Sequence, residues 1–286
     1  MPQLTSDIAS DAHSEVAPLL TLKEHETLRA ALQAGAAHVE CSLDLGRSTE
    51  TVAVGGEGWV RQGRLFPYLE SCNDRTIYYW ADDAFQPVSR YTAALIKLVP
   101  TPWGPPTFEI DGIKMLPTAQ TSPYTDAERK VALIQPRGKV ILDTCGGLGY
   151  FAAWCVRGQA RQVLSYEKNS DVIWLRGLNP WSPQADDVLG LTLGDICEQI
   201  VSLPSGSVDA ILHDPPRFGI AGELYSQVLY DQLARVLKRK GKLFHYTGSP
   251  NKLTNGRDVP NEVAKRLQRA GFVTELSGDG VLAVKS

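Results

Sequence analysis

The sequence predicts an α/β fold: a doubly wound, mainly parallel sheet of seven strands closed by an antiparallel hairpin, with a small β-rich domain ahead of it. Three observations predict it. From Lys139 onward, short apolar runs alternate with helix-length segments, which is the pattern of a parallel sheet. The last two runs, Phe272–Leu276 and Val281–Lys285, are separated only by Ser277-Gly278-Asp279-Gly280, so they pair as a hairpin. Between His38 and Met115 the texture differs, with short β-type runs broken by Gly, Pro, Asn and Asp.

The elements follow in order. Residues 1–18 are polar and unpatterned, and read as a lead-in. Thr21-Leu22-Lys23-Glu24 is a capping box opening a helix with Leu22, Leu28 and Leu32 on its apolar side, stopped at Gly35. Strands are expected at His38–Leu45, Thr51–Val54, Thr76–Trp80, Leu95–Val99 and Thr107–Ile110, which gives a first domain over 19–118. Thr125-Asp126-Ala127-Glu128 is a second capping box, starting a helix through Val131 and Ile134 that ends before Pro136. The second domain, 119–286, then carries strands at Lys139–Asp143, Gln162–Glu167, Leu189–Gly194, Val208–His213 and Lys242–Tyr246, each followed by a helix, and the closing hairpin.

Bulk properties narrow the class. The 286 residues carry a net charge of −3, which does not advertise a nucleic-acid binder. The one dense basic cluster, Arg235, Lys238, Arg239, Lys240 and Lys242, reads as a helix end followed by a turn. No apolar run approaches the ~18 residues of a membrane span, and the N-terminus lacks a signal pattern, so a cytoplasmic protein is expected. Cys41, Cys72, Cys145, Cys155 and Cys197 show no Cys-x-x-Cys spacing; a disulfide framework and a metal site are not expected.

The chemistry concentrates at the strand ends. Asp143-Thr144-Cys145-Gly146-Gly147-Leu148-Gly149 follows the apolar run Val140-Ile141-Leu142. Glycines there let backbone approach a ligand closely, and ligands of open α/β sheets bind outside the strand carboxyl ends. Asp143, Glu167 and Asp195 end the first three strands and are expected to face one crevice. Clustered negative charge disfavours a dinucleotide pyrophosphate and favours a cationic sulfonium nucleoside. Glu167 suits a ribose diol and Asp195 an adenine amine; Asp143, Cys145, Gly146, Gly147, Gly149, Lys168 and Ile196 complete the expected cofactor set.

These residues resemble a class I S-adenosylmethionine (SAM)-dependent methyltransferase, with a Rossmann-like seven-stranded sheet. The glycine signature is Asp143 to Gly149, the strand-two acid is Glu167, the strand-three acid is Asp195, and the strand-four motif is His213-Asp214-Pro215-Pro216-Arg217-Phe218. With Asn179-Pro180-Trp181-Ser182, Gly222-Glu223-Leu224-Tyr225-Ser226 and Phe244-His245-Tyr246-Thr247-Gly248, the chain is similar to a family of methyltransferases best known from archaea, which also carry a β-rich N-terminal part. The resemblance implies SAM as cofactor and leaves the acceptor open.

His213, Asp214, Pro215, Pro216 and Arg217 are the expected catalytic group. Two prolines remove N–H donors and fix φ, leaving carbonyls and the Asp214 carboxylate as an acceptor-rich wall for an amino group. Similar Asp-Pro-Pro-aromatic motifs serve methyl transfer to nitrogen; here Arg217 takes the aromatic place. Arg217 is expected either to clamp an anion or to pair with Glu223. The expected function is methyl transfer to nitrogen, with RNA favoured over a protein or small molecule on the strength of the extra domain. Two alternatives stand beside it. Asp111-Gly112-Ile113, Glu223-Leu224-Tyr225 and Leu229-Tyr230 resemble spermidine synthases, which transfer an aminopropyl group from decarboxylated SAM. The other is a non-catalytic SAM- or RNA-binding module.

Overall fold

The computed structural model describes residues 17–248 and 258–286; the expected lead-in lies almost wholly outside them. The chain divides into two compact units, one ending at Pro87 and the other running from Val88 to Ser286.

The first unit holds β1 (Leu19–Leu20), α1 (Leu22–Gln33), β2 (His38–Cys41), β3 (Glu50–Gly55), β4 (Gly58–Arg61), β5 (Arg64–Phe66), β6 (Tyr78–Ala81) and β7 (Ala84–Pro87). They form an antiparallel four-stranded sheet in the order β2-β3-β4-β5 and a three-stranded sheet β1-β6-β7. Leu20, Leu28, Leu43, Val52, Trp59 and Phe66 make its core. Thr21 stands at the N-cap of α1, but the expected capping box is not made: its side chain caps no backbone N–H, and the hydroxyl donates instead to the Glu24 carboxylate.

The second unit begins earlier than the expected 118/119 boundary. Its β8 (Ser89–Tyr91), β9 (Leu95–Val99), β10 (Thr107–Ile110) and β11 (Ile113–Lys114) form an antiparallel sheet that packs on the glycine-loop side of this unit. Three ties explain the shift. The Tyr150 hydroxyl donates to the Pro106 carbonyl at 2.8 Å, Phe108 lies against Gly147, and Arg90 stacks 3.7 Å over the Trp174 ring while pairing with Asp171.

Next come α2 (Pro123–Ile134), β12 (Val140–Asp143), α3 (Tyr150–Arg157), β13 (Gln162–Glu167), α4 (Ser170–Leu178), β14 (Leu189–Leu193), α5 (Ile196–Gln199), β15 (Val208–His213), α6 (Gln227–Val236), β16 (Leu237–Tyr246), α7 (Val259–Arg269), β17 (Phe272–Ser277) and β18 (Gly280–Lys285). The seven-stranded sheet has the order β14-β13-β12-β15-β16-β18-β17. β12 to β16 are parallel; β18 inserts antiparallel between β16 and β17. Chain order reverses between β12 and β15, which puts the switch point beside the glycine loop. Leu142, Ile211, Leu243, Val281 and Ala283 of the sheet pack with Leu229, Tyr230 and Leu233 of α6 and Val263 and Leu267 of α7.

Two other local expectations change. α2 is capped by Ser122, whose hydroxyl accepts from the Tyr124 N–H, and not by Thr125. Pro123 at the first helical position supplies a fixed φ, so the helix starts sooner and Asp126 falls in its first turn. The basic cluster is not a turn: α6 ends at Val236 and β16 starts at Leu237, with a register shift between Leu237 and Lys242.

Candidate functional site

The glycine loop is shaped by two close approaches that a side chain would break and by two positive φ angles. A Cβ on Gly146 would lie 2.5 Å from the Ser165 hydroxyl oxygen. Gly149, at φ 80°, would place a Cβ 2.5 Å from the Arg176 guanidinium carbon, and Gly147 has φ 49°. The three glycine amides of the loop are spent within the protein. Gly146 N–H donates to the Tyr166 carbonyl at 2.7 Å, Gly149 N–H to the Gly146 carbonyl at 2.7 Å, and Gly147 N–H to Glu167 Oε2 at 2.9 Å. Behind the loop, Asn179 Nδ2 donates to the Tyr150 hydroxyl (3.0 Å) and to Ser182 Oγ (2.9 Å), and Ser182 Oγ–H donates to the Leu148 carbonyl at 2.7 Å. The Asn-Pro-Trp-Ser run thus braces the loop.

Glu167 and Asp195 stand at the carboxyl ends of neighbouring β13 and β14, both partly exposed. Glu167 also accepts from the Asn169 N–H at 2.9 Å. Burial lifts its pKa above the usual carboxylate range despite those backbone bonds. Asp195 caps α5, accepting from the Cys197 N–H at 2.8 Å. Lys168 Nζ reaches both Asp195 (3.6 Å) and Glu223 (3.2 Å), and Ile196 is buried beside them. Asp143 departs from expectation: it is 0% exposed, sealed beneath the loop rather than facing the crevice. Its Oδ2 accepts from the Ser165 hydroxyl at 2.8 Å, and burial pushes its pKa up to about 6. Burial also holds the Cys145 thiol well above its ordinary value, so it stays protonated near neutrality.

Asp214, Pro215, Pro216 and Arg217 follow β15 directly. Burial lifts Asp214 to about 6, opposed by Lys130 and reinforced by Asp126 and Asp279. The Pro216 carbonyl accepts from the Tyr225 hydroxyl at 3.0 Å, so part of the expected acceptor wall is engaged and the Asp214 carboxylate is its open member. Arg217 is exposed and has no ion pair among the described residues; Glu223 is taken by Lys168. His213 is fully buried, with Nε2 2.9 Å from the Leu224 carbonyl and Nδ1 2.7 Å from the Thr144 hydroxyl. The carbonyl can only accept, so Nε2 carries the proton and Nδ1 accepts from Thr144. Burial holds its pKa down at about 4. His245, 4.5 Å away between ring centroids, is likewise buried and bonded to the Tyr230 hydroxyl.

Two functional candidates escaped the sequence reading. Lys130 is 1% exposed within electrostatic range of Asp214, with Nζ 2.6 Å from Asp126 and 3.8 Å from the centre of the Tyr246 ring. Arg176 is 3% exposed beneath the glycine loop, and none of its three guanidinium nitrogens has a hydrogen-bond partner. The signal available was helical period: Lys130 shares a face with Ala127, Val131 and Ile134, and Arg176 with Val172 and Leu175.

Glu167 and Asp195 thus stand on one side of the loop that follows β12, and Asp214 follows β15 on its other side. Among the described residues no helix is long and apolar enough to cross a membrane, and no His, Cys, Asp or Glu group is disposed to hold a metal. No protein-family model matches the chain. An uncharacterized protein of Methanocaldococcus jannaschii is 42% identical over 194 residues, a match spanning 66% of this chain and 66% of that protein. A spermidine synthase solved with the transition-state analogue AdoDATO superposes with a TM-score of 0.57 at 17% identity, over 69% of this chain and 73% of that one. MNMC2 from Aquifex aeolicus superposes with a TM-score of 0.50 at 18% identity, over 68% and 71%. At these identities the likeness is one of fold, and it agrees with the seven-stranded sheet.

Proposed function

We propose that the chain is a SAM-dependent methyltransferase that acts on nitrogen. The observation that carries the cofactor is the inward turn of the loop amides. A phosphate-binding loop displays its N–H groups to the ligand. Here Gly146, Gly147 and Gly149 spend theirs on Tyr166, Glu167 and Gly146, and the partly exposed carboxylates of Glu167 and Asp195 stand at the strand ends beside them. That favours a nucleoside carrying positive charge and no phosphate. Glu167 would hold the ribose hydroxyls, Asp195 the adenine amine, and Cys145 and Ile196 the apolar walls. Bound SAM supplies an electrophilic methyl group on a sulfonium.

The chain's own residues would do the rest. The Asp214 carboxylate accepts a hydrogen bond from the acceptor N–H, aims the nitrogen lone pair, and takes or relays the proton it sheds. His213, with both nitrogens committed, is a positioning residue that ties the loop at Thr144 to Leu224. Arg217, exposed and without an ion pair among the described residues, is available to an anionic part of the acceptor, in keeping with the preference for RNA.

A second reading, aminopropyl transfer, is favoured by the fold shared with a spermidine synthase. One set of titrations and assays separates them. Isothermal titration should show SAM binding, and Glu167→Gln should weaken it by on the order of tenfold or more, the loss of one or two charge-assisted hydrogen bonds. Unchanged affinity in Glu167→Gln, or no binding by the wild type, overturns the cofactor assignment. Spermidine formed from decarboxylated SAM and putrescine overturns methyl transfer.

A further inference from the structure

We propose that Lys130 is an internal counter-ion filling an ammonium cage at the reaction end, and that it restricts the acceptor to an uncharged nitrogen; the second half rests on the transferase reading above. The Lys130 ammonium lies 3.8 Å from the centre of the Tyr246 ring, 2.6 Å from Asp126 Oδ2 and 3.9 Å from Asp279 Oδ2. Asp214 stands within electrostatic range on a third element. An aromatic face ringed by carboxylates is how proteins recognise alkylammonium ligands, and here the ligand is covalently part of α2. Burial works against the ammonium, but Asp214, Asp126 and Asp279 together outweigh it and keep the lysine protonated. Arg129 bonds both Asp126 and Asp279 from the rim, at 2.9 Å and 3.0 Å.

The consequence is a matter of charge. Without Lys130, three carboxylates would converge beside the acceptor position and draw in a primary ammonium or a polyamine. With it, Asp214 is compensated, and an incoming cation meets a fixed ammonium there and the exposed Arg217 three residues along. An amide or a base amine carries no charge and still offers Asp214 an N–H. The device excludes alkylamines and keeps the carboxylate.

Removal of the lysine should therefore open the cage. Lys130→Ala deletes a fragment the size of n-propylamine. In that variant, n-propylammonium should raise Tm progressively with concentration relative to sodium chloride of equal ionic strength, and putrescine should bind on the order of tenfold tighter than to wild type, the range of a desolvated cation–π contact. Wild type and Lys130→Arg should show neither effect. If the alanine variant does not fold, Lys130→Gln, discharged but close in volume, answers through putrescine binding. SAM is titrated into each sample, so failure of the cofactor assignment is seen separately. Putrescine binding by wild type as tight as by Lys130→Ala, or a folded Lys130→Ala or Lys130→Gln that gains no affinity for either amine, overturns the proposal.

Discussion

Arg176 is the residue that most constrains its surroundings. An arginine with three unpartnered nitrogens is costly to bury, and what compensates it is the field of Asp143 and Glu167 rather than a hydrogen bond. Asp143 is in the same position: one oxygen takes Ser165, the other has no partner, and Arg176 opposes the rise of its pKa. Removing one charge leaves the other stranded, which typically costs about 3–5 kcal/mol. Arg176→Met should therefore lower the urea-unfolding free energy by about that much. Asp143→Asn in the same chain should recover a large part, because the remaining group is then neutral; a double-mutant cycle measures the coupling.

Among the elements, the brace behind the glycine loop is the one whose loss should reach the ligand. Asn179→Ala frees the Tyr150 hydroxyl and Ser182 and slackens the hold on the Leu148 carbonyl. It should cost about 2 kcal/mol, the order expected when buried polar groups lose a partner, and weaken SAM binding although Asn179 is not placed to touch the cofactor; chemical denaturation and titration check the two separately. The elements also show what the sequence could and could not disclose. β12, β13, β15 and the β17–β18 hairpin were legible because apolar runs end at Gly, Pro or acidic punctuation. β8 and β11 were not, being two or three residues long without alternation, and the first half of β16 hid in the run Leu237-Lys238-Arg239-Lys240. In the site, Glu167 and Asp195 announced themselves by position at strand ends. Lys130 and Arg176 did not, since a charged helical residue faces water unless tertiary packing supplies it with counter-charges, and those lie far along the chain.

For the molecule as a whole, four buried groups set opposing responses to pH. Asp143 and Asp214 are raised from 3.8 to about 6, so between those values the folded protein holds protons the unfolded chain releases, and stability falls as pH rises. His213, lowered from 6.5 to about 4, and His245, lowered well below 6.5, do the reverse: the unfolded chain takes up protons the folded one refuses, and stability is lost as pH falls below 6.5. The two pairs act in opposite directions. Asp214→Asn removes one carboxylate from the balance. Its stability relative to wild type should climb between about pH 4 and pH 6 by up to about 3 kcal/mol, a trend that urea midpoints across that range will register; a difference that stays flat would mean Asp214 titrates normally.

The closing hairpin carries one more consequence, for the order in which the protein is made. β18 lies between β16 and β17, although it is synthesised after both. Until it emerges from the ribosome, the edge of β16 is bare, and His245 lacks the strand that covers it at Val281. Asp279, which completes the carboxylate ring around Lys130, arrives in the same few residues. The same hairpin thus completes the sheet and the carboxylate ring around Lys130, so that ring stays open until the sheet is closed.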